Sequence, residues 1–328
     1  MPPLMRIAED KDKTEILALL NSVFSENQRS VSLRDDAYWK WKFTDSPFGA
    51  STLIVAEQEG QIIGVNNWWP WEFVVRGQVI KALQPCDSVV HRDFRGKGCF
   101  KQLRMYGLKF AQDNGVQLLF NYPNQNSLPV YLSLGWHFQK LLPWRVKILR
   151  PFSIAKGFFY SSKSESVVVD SRYTIDVKML DSLAKMTSSY DHYLKINRVE
   201  GFHEWRYMHH PFRSYGMIKC EMGRKSSAAI FTINIKSDNI EMVVVDIIGA
   251  TDNILPLMSR VVSEAKNMGV AFIAVMDNLA FNTSELWKQG FIKRNFKNMV
   301  VLPIDLKLES FVKGYSNWSL MAVMHDSI

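Results

Sequence analysis

Apolar side chains recur along the first part of the chain with the spacings of helices and strands. Residues 14–24 place them on one face, which predicts an amphipathic helix. Short apolar runs then alternate with the turn residues Glu59-Gly60 and Arg76-Gly77, a pattern typical of consecutive strands. The predicted strands span residues 53–56, 61–65, 69–75 and 79–90.

A second helix is predicted to follow the last of these strands. Residues 98–113 have helical periodicity, and Asn114-Gly115 are residue types that end helices. Beyond them the pattern predicts a strand at 116–122 and a short helix at 127–134. This alternation of strands and helices indicates an α/β fold.

One short motif occurs in both halves of the chain. The pattern W-[KR]-[FY]-x3-P-F occupies residues 41–48 and again residues 205–212. Because aromatic, basic and proline positions agree in register, the two occurrences indicate an internal repeat.

The second half also repeats the order of elements. Strands are predicted at 228–235 and 240–248, followed by a helix from Asp252 that Gly269 closes. A further strand is predicted at 270–276. The chain is therefore predicted to contain two copies of one α/β unit.

The length of the chain agrees with two domains. It has 328 residues, of which 47% are hydrophobic, enough to bury a sizeable core. We predict a first domain at 1–150, a linker at 151–170 that includes a Ser/Lys-rich stretch, and a second domain at 171–328.

Cysteine usage and hydropathy exclude several classes of protein. The chain has 3 cysteines without paired spacing, so neither a disulfide framework nor a zinc site is expected, and no metal is predicted. No apolar run approaches the length of a membrane span, and the charged N-terminus lacks the apolar core of a signal peptide. We therefore expect no transmembrane segment and a cytoplasmic location.

The net charge of +8 favours an anionic ligand. The basic residues are spread along the chain rather than grouped in a block, so no nucleic acid is expected as a partner. A small phosphorylated ligand suits this distribution better.

Residues 89–100 lead from a predicted strand into a predicted helix, and their sequence is VVHRDFRGKGCF. Backbone N–H groups at such a junction lack intrahelical partners and bind phosphate, and glycines let the ligand approach the backbone closely. Arg95 and Lys97 add positive charge. A plain turn into a basic helix would produce a similar pattern.

This segment resembles the CoA-pyrophosphate loop of the GNAT N-acetyltransferase superfamily, R/Q-x-x-G-x-G/A. The segment fits five positions of that loop with Arg95, Gly96, Lys97, Gly98 and Cys99. It departs from the pattern only at the last position, where Phe100 stands in place of Gly or Ala. The backbone N–H of Phe100 remains available to a phosphate, and its ring is free to turn into the core.

A second block strengthens the resemblance. The superfamily often carries N-x-x-A-x-x-x-Y-x-x-x-G-F, and this chain has Asn124, Ser127, Tyr131, Gly135 and Trp136 at those intervals. The resemblance implies two tandem units, each a mixed, largely antiparallel twisted sheet flanked by helices. The overall organisation of the sequence is similar to that of bacterial tandem-GNAT proteins associated with sugar and polysaccharide modification.

The resemblance further implies which residues bind acetyl-CoA, the expected co-substrate. The cofactor-binding residues are predicted to be Val89, Val90, Arg95, Gly96, Lys97, Gly98, Cys99, Phe100, Asn124 and Ser127. Tyr131 resembles the tyrosine that protonates the CoA thiolate. For both Asn124 and Tyr131, a purely structural role in a turn or in helix packing is the alternative.

Two residues are candidates for the general base. Asp87 lies on the strand that enters the loop, among apolar neighbours that would raise its pKa, although a carboxylate on a solvent-facing strand is equally consistent with the pattern. His91 is a residue type that often acts as a general base, but it would also serve simply to cap the loop.

Several tryptophans that are close together in sequence suggest a binding site for the molecule that accepts the acetyl group. The rings of Trp41 and Trp69 could stack on a sugar, whereas core packing explains them equally well. In the second copy, residues 247–252 retain only one glycine and no basic residue, so one CoA site is expected. The second copy would then cover the acceptor side or form a homodimer surface.

The leading hypothesis is an acetyl-CoA-dependent N-acetyltransferase acting on a small-molecule amine, with an amino sugar or sugar nucleotide as the favoured acceptor. Two alternatives stay open. One is a tRNA-dependent aminoacyltransferase of the peptidoglycan-bridge type, against which the CoA-type loop argues. The other is a non-catalytic pseudoenzyme that only binds CoA or a sugar.

Overall fold

A computed structural model describes most of the chain. The described residues are 2–26, 33–151, 164–186, 192–223, 225–236 and 239–325. Most of the predicted linker, 152–163, lies outside them. Among the described residues, no helix is long and apolar enough to cross a membrane.

The chain forms two compact units, and each unit combines separate segments. Unit 1 comprises Met1–Phe73, Gln78–Lys140 and Asn298–Gly314. Unit 2 comprises Val74–Gly77, Leu141–Lys297 and Tyr315–Ile328. The predicted division at 1–150, 151–170 and 171–328 is continuous in sequence, and as a division into independent domains it stays a prediction.

The sheet of unit 1 is mixed and mainly antiparallel. Its strands occur in the order β1-β2-β3-β4-β5-β13. β4 and β5 are parallel, whereas β1 with β2, β2 with β3, and β5 with β13 are antiparallel. The strands are β1 (Leu4–Ile7), β2 (Thr52–Gln58), β3 (Gln61–Val75), β4 (Gln78–Val90), β5 (Leu118–Asn121) and β13 (Ile292–Pro303).

Helices cover both faces of this sheet. Trp68 and Trp69 are consecutive in β3 and therefore point to opposite faces. Trp68 packs on Gly107 of one helix, and Trp69 packs on Trp41 of a π-helical turn (Lys40–Thr44). The α-helices of unit 1 are α1 (Lys13–Glu26), α2 (Asp36–Trp39), α3 (Cys99–Asp113), α4 (Leu128–Ser133) and α8 (Glu309–Val312).

The sheet of unit 2 is also mixed. β12 is parallel to β11 and antiparallel to β6, and β10 is antiparallel to β11, β9 and β7. The strands of this sheet are β6 (His137–Ile148), β7 (Ser164–Val167), β9 (Gly216–Met222), β10 (Lys225–Lys236), β11 (Asn239–Gly249) and β12 (Phe272–Met276). A short strand, β8 (Lys195–Ile196), precedes β9 in the chain. The α-helices are α5 (Val177–Met186), α6 (Phe202–Tyr207) and α7 (Ile254–Asn267).

Each unit takes its last strand from the other half of the sequence. In unit 1, residues 300–303 of β13 pair with β5. In unit 2, residues 144–148 of β6 pair with β12. Each unit therefore has a parallel pair followed by an antiparallel strand that is distant in sequence.

The predicted fold class, a mixed α/β fold with a largely antiparallel sheet flanked by helices, is confirmed. The predicted helix at 98–113 is α3, and the predicted strand at 79–90 is β4. The predicted strands 61–65 and 69–75 are instead one strand, β3, because the residues between them are also extended and buried. The helix predicted from Asp252 begins at Ile254, after a short 3-10 turn.

Candidate active site

The loop between β4 and α3 has the backbone geometry of an anion-binding turn. Gly96 and Gly98 have φ values of 75° and 80°, in the left-handed region that glycine adopts without strain. Gly98 is the N-cap of α3, so the first N–H groups of the helix follow directly. An added Cβ at either glycine would meet no atom within 4 Å, which leaves the backbone open to a ligand.

The basic residues of this loop have different surroundings. The guanidinium of Arg95 donates to the Val90 carbonyl at 3.0 Å and to Glu26 at 2.9 Å. The Lys97 ammonium lies 5.3 Å from the centre of the Phe94 ring. A cavity of about 260 Å³ opens beside the loop and is lined in part by Phe94, Lys97, and Cys99. Lys97 is therefore placed to add positive charge at an anion bound here.

Two further predicted cofactor residues are mainly packed. Cys99 is buried at the first position of α3, and burial raises the pKa of its thiol. Phe100 packs against the hydrophobic core of unit 1, so its ring leaves the loop uncrowded. Val89 and Val90 are buried at the end of β4.

The strands β4 and β5 separate near the loop. Among the described residues, they pair at Ala82 with Leu118 and at Leu83 with Leu119, although β4 continues to Val90. Asp87 interrupts β4 with a φ of 42°, a conformation that side chains other than glycine rarely adopt. The result is a gap in the sheet between the second half of β4 and the end of β5.

The hydroxyl of Tyr131 lies in this gap. Tyr131 is on α4 and is 1% exposed. Its hydroxyl accepts a hydrogen bond from the Asn121 side chain on β5 and donates to the Pro85 carbonyl on β4 at 3.4 Å. The phenol therefore joins the two strands at the point where they part.

Asn121 and Arg104 are neighbours of Tyr131 that the sequence analysis missed. Arg104 is on α3, is 4% exposed, and has its guanidinium 4.7 Å from the centre of the Tyr131 ring. The sequence held one signal of this position. Arg104 is four residues after Phe100 and three before Gly107, a helical spacing that places it on the inward side of α3. Helical spacing alone did not show that a charged residue would be buried there.

Asp87 is buried among three groups that stabilise its charge. It accepts a hydrogen bond from the Tyr38 hydroxyl at 2.9 Å, and it lies 3.4 Å from Arg34 and 3.6 Å from Lys42. Burial by itself would raise the pKa of Asp87, but Lys42, Arg34 and Tyr38 together outweigh burial and leave the pKa below its usual range.

The prediction of a raised pKa for Asp87 is therefore wrong. Apolar neighbours in sequence suggested desolvation, whereas the cations come from residues distant along the chain. Lys42 is itself buried, with an exposed fraction of 1%. A role for Asp87 in catalysis stays a prediction.

His91 caps a short 3-10 turn, Arg92–Phe94, that follows β4. Its Nδ1 atom accepts from the backbone N–H of Asp93 at 3.5 Å and lies 3.8 Å from the Asp93 carboxylate. These contacts match the capping alternative for His91, and its role as a base stays a prediction.

Asn124 and Ser127 form a local turn before α4. The side-chain oxygen of Asn124 accepts from the backbone N–H groups of Asn126 and Ser127 at 3.0 Å and 2.9 Å. The turn fixes the start of α4 and thereby the position of Tyr131. Contact of Asn124 with the cofactor stays a prediction.

Trp41 and Trp69 lie inside unit 1. They are 3% and 0% exposed, and their ring centres are 6.0 Å apart. The Lys42 ammonium lies 3.8 Å from the centre of the Trp69 ring. This burial favours core packing over a platform that stacks on an acceptor, and acceptor binding by these rings stays a prediction.

Unit 2 contains a buried carboxylate with similar surroundings. Asp246 on β11 is 2.8 Å from Arg198 and accepts from the Tyr207 hydroxyl at 2.7 Å. Arg198 precedes Trp205 by the same interval that separates Arg34 from Trp41, which agrees with the predicted internal repeat, and that repeat stays a prediction.

In unit 2, the backbone at the end of β11 is closed to a ligand. An added Cβ at Gly249 would lie 2.3 Å from the Ser226 carbonyl, because β10 approaches the backbone there. The backbone N–H of Ala250 donates to the same carbonyl at 2.9 Å. Among the described residues of the chain, no group of three or more His, Cys, Asp or Glu side chains could hold a metal ion.

The comparisons with known proteins agree with this geometry. Residues 5–139 match the family described as acetyltransferase (GNAT) domain. These residues are thus similar to a GNAT-type acetyltransferase domain, and the prediction of an acyltransferase is confirmed. No curated protein matches the chain in sequence.

Solved structures share the fold over nearly the whole chain. A GCN5-related N-acetyltransferase from Anabaena variabilis is 14% identical with a TM-score of 0.63, over 92% of this chain and 73% of that one. A conserved protein of unknown function from Enterococcus faecalis, described as a probable N-acyltransferase, is 10% identical with a TM-score of 0.62, over 93% and 74% of the chains.

A GCN5-related N-acetyltransferase from Kribbella flavida is 11% identical with a TM-score of 0.55, and covers 93% of this chain and 72% of its own. Because the sequence identities are this low, the similarity to these structures shows only that the chain shares their fold, over both of its halves.

Proposed function

We propose that this chain transfers an acetyl group from acetyl-CoA to the amine of a small molecule. The observation that carries the proposal is the coincidence of two features in unit 1. The open glycine loop at the start of α3 lies at the end of β4, and the Tyr131 hydroxyl lies in the gap between β4 and β5. The first feature suits a pyrophosphate, and the second suits a leaving thiolate.

The residues present fit the donor. Gly96 and Gly98 expose backbone to a phosphate, and Lys97 adds a cation beside the cavity. The backbone of β4 near Val89 and Val90, beyond the residues that pair with β5, would hold the pantetheine arm where the strands part. When bound, acetyl-CoA would supply the activated acyl group as a thioester.

The side chains around the gap would then position the reactants and move protons. A phenol ordinarily keeps its proton at neutral pH, so Tyr131 would be able to donate one to sulfur as the C–S bond breaks. Asp87 would serve as a fixed negative charge that holds Lys42 and Tyr38, since a carboxylate of lowered pKa is a weak base. Proton removal from the amine would then fall to water or to His91.

We further propose an amino sugar or sugar nucleotide as the acceptor. Neighbouring hydroxyl groups make such amines less basic than lysine, so a weak base would suffice for their deprotonation. The excess positive charge of the chain favours a phosphorylated acceptor. A cytoplasmic location and homodimer formation also stay predictions.

Unit 2 would be a degenerate copy of unit 1 that has lost the chemistry. Both units have a parallel strand pair, an antiparallel strand from the other half of the sequence, and a buried arginine–aspartate pair. The closure beside Gly249 supports a single donor site per chain.

Calorimetric titration with acetyl-CoA tests the proposal. Asp and Asn have nearly the same shape, tolerate left-handed backbone and cap helices, so Gly98→Asp and Gly98→Asn differ mainly in charge. We expect one site per chain in the wild type, modest weakening in Gly98→Asn and loss of binding in Gly98→Asp, because a carboxylate there repels pyrophosphate.

Equal affinities of the two variants, or no binding by the wild type, would count against the CoA site. A following screen measures thiol release with amino sugars, polyamines and aminoglycosides as acceptors. Binding without turnover on any acceptor would favour the pseudoenzyme, and transfer from charged tRNA would favour the aminoacyltransferase.

A further inference from the structure

Arg104 is a buried cation that contacts no carboxylate among the residues that the structure describes. Its Nη2 atom donates to the Ser88 hydroxyl at 2.8 Å. Its Nε and Nη1 atoms are buried and have no hydrogen-bond partner among the described residues. Among the described residues, Arg104 also forms no salt bridge.

The groups around Arg104 are aromatic or neutral. Its guanidinium is 4.9 Å from the centre of the Phe100 ring and 4.7 Å from that of the Tyr131 ring. The ionisable neighbours are Tyr131 on α4 and Cys86 on β4, whose phenol and thiol are ordinarily uncharged at neutral pH. Burial lowers the pKa of Arg104, but a guanidinium remains protonated in proteins.

Such a residue is costly for the folded chain. A buried ion is strongly desolvated, and this loss is ordinarily offset by a partner of opposite charge. Ser88 cannot provide that charge, and its hydroxyl already accepts from the Asn66 side chain at 3.0 Å. The Nε–H and Nη1–H groups of Arg104 are therefore suited to donate hydrogen bonds to an anionic group of a bound ligand.

The position of Arg104 indicates where that anion would be. Arg104 is six residues after Gly98, which places it about 9 Å along α3 from the phosphate end of the loop. It also lies against the ring of Tyr131, whose hydroxyl is in the gap between β4 and β5. Both relations place it near the thioester end of a CoA molecule bound in that gap.

We propose that Arg104 binds the negative charge that forms on the CoA sulfur. This inference rests on the proposed function. In the reaction, the amine nitrogen forms a bond to the acyl carbon, the C–S bond breaks, and its electron pair stays on sulfur. The amine loses a proton to a base, and Tyr131 gives a proton to sulfur. Arg104 transfers no proton and stabilises the thiolate until it is protonated.

The thiol pKa of bound CoA measures this interaction directly. Thiolate is followed by its ultraviolet absorbance during a pH titration of the CoA complex, with a thioether analogue of CoA as the blank for the protein's own cysteines. We expect the wild type to favour bound thiolate by about tenfold or more over free CoA. Arg104→Met should abolish this preference, and Arg104→Lys should retain part of it.

Two controls separate the assignment from a structural role. Arg104→Gln is neutral but can keep the hydrogen bond to Ser88, so it should behave like Arg104→Met in the titration. Without ligand, Arg104→Met should melt no lower than the wild type, because an unmet buried charge is replaced by an apolar side chain of similar length.

The assignment and the proposed function can fail separately. If Arg104→Met and Arg104→Gln bind CoA and leave its thiol pKa at the wild-type value, the assignment is overturned while the CoA site stands. A large fall in melting temperature for both neutral variants would also overturn it, because Arg104 would then be structural. Failure of the wild type to bind CoA would overturn both proposals.

Discussion

At the scale of single residues, buried charge determines the character of the site. Asp87 and Arg104 are both buried, yet their surroundings are opposite. Asp87 has two cations and a phenol around it, whereas Arg104 has a serine and aromatic rings. The first arrangement is complete in the folded chain, and the second is suited to a ligand.

The Asp87 cluster can be tested through its effect on stability. Asp87→Asn removes the carboxylate charge that balances Lys42 and Arg34, so the free energy of unfolding near neutral pH should fall by about 3–5 kcal/mol. The folded pKa of Asp87 lies below its unfolded value of about 3.9. Its contribution is therefore present above that value and is lost as the pH falls through the folded pKa.

Urea unfolding of both proteins at several pH values provides the measurement. The difference between them should be constant near neutrality and shrink only in acid. Asp113→Asn is the control, since Asp113 pairs with Lys109 at the exposed surface and its loss should change stability by less than about 0.5 kcal/mol. An Asp87→Asn difference that shrank already near pH 6 or 7 would contradict the lowered pKa.

At the scale of elements, the approach of α3 to β3 positions the loop and Arg104. Gly107 allows this approach, because an added Cβ there would lie 1.9 Å from Cε2 of Trp68. Trp68 is 1% exposed and cannot move aside into solvent. A glycine inside a helix, ordinarily unfavourable, is thus required by packing.

Gly107→Ala should therefore destabilise the protein. Helix propensity alone would favour alanine by about 1 kcal/mol, but overpacking against Trp68 should cost about 1–3 kcal/mol or more. Chemical denaturation of the wild type, Gly107→Ala, Trp68→Phe and the double variant measures the coupling. The alanine should cost less in the Trp68→Phe background, and a more stable Gly107→Ala protein would disprove the close packing.

At the scale of the whole molecule, each compact unit depends on a strand from the other half of the sequence. Met299, Val300 and Val301 are each 0% exposed, and residues 300–303 pair with β5. Without them, β5 would become an uncovered edge with apolar side chains. Unit 1 is therefore expected to need residues 298–314.

Two fragments test this dependence. Residues 1–140 alone should aggregate or fail to unfold cooperatively, whereas residues 1–140 joined by a long Gly/Ser linker to 298–314 should give a cooperative transition. Circular dichroism during thermal and urea unfolding distinguishes the two outcomes. A cooperative transition in the shorter fragment would show that β13 is dispensable for unit 1.

Local sequence was sufficient for much of the fold and for the loop. Helical and strand periodicities predicted α1, α3 and β4, and the glycines at 96 and 98 predicted the open turn between strand and helix. These features depend on residues that are near neighbours along the chain. Tyr131 was predicted from a motif that resembles the GNAT superfamily, although its bridge between two strands was not predicted.

Contacts between distant residues decided the rest, and only the tertiary structure shows them. The pKa of Asp87 depends on Lys42 and Arg34, and the partner of β5 comes from near the end of the chain. The burial of Arg104 depends on how α3 packs against β4 and α4. The sequence by itself thus determined most of the elements and the open glycine turn between β4 and α3. Strand pairing and electrostatics were decided by folding, because both depend on distances in space rather than along the chain.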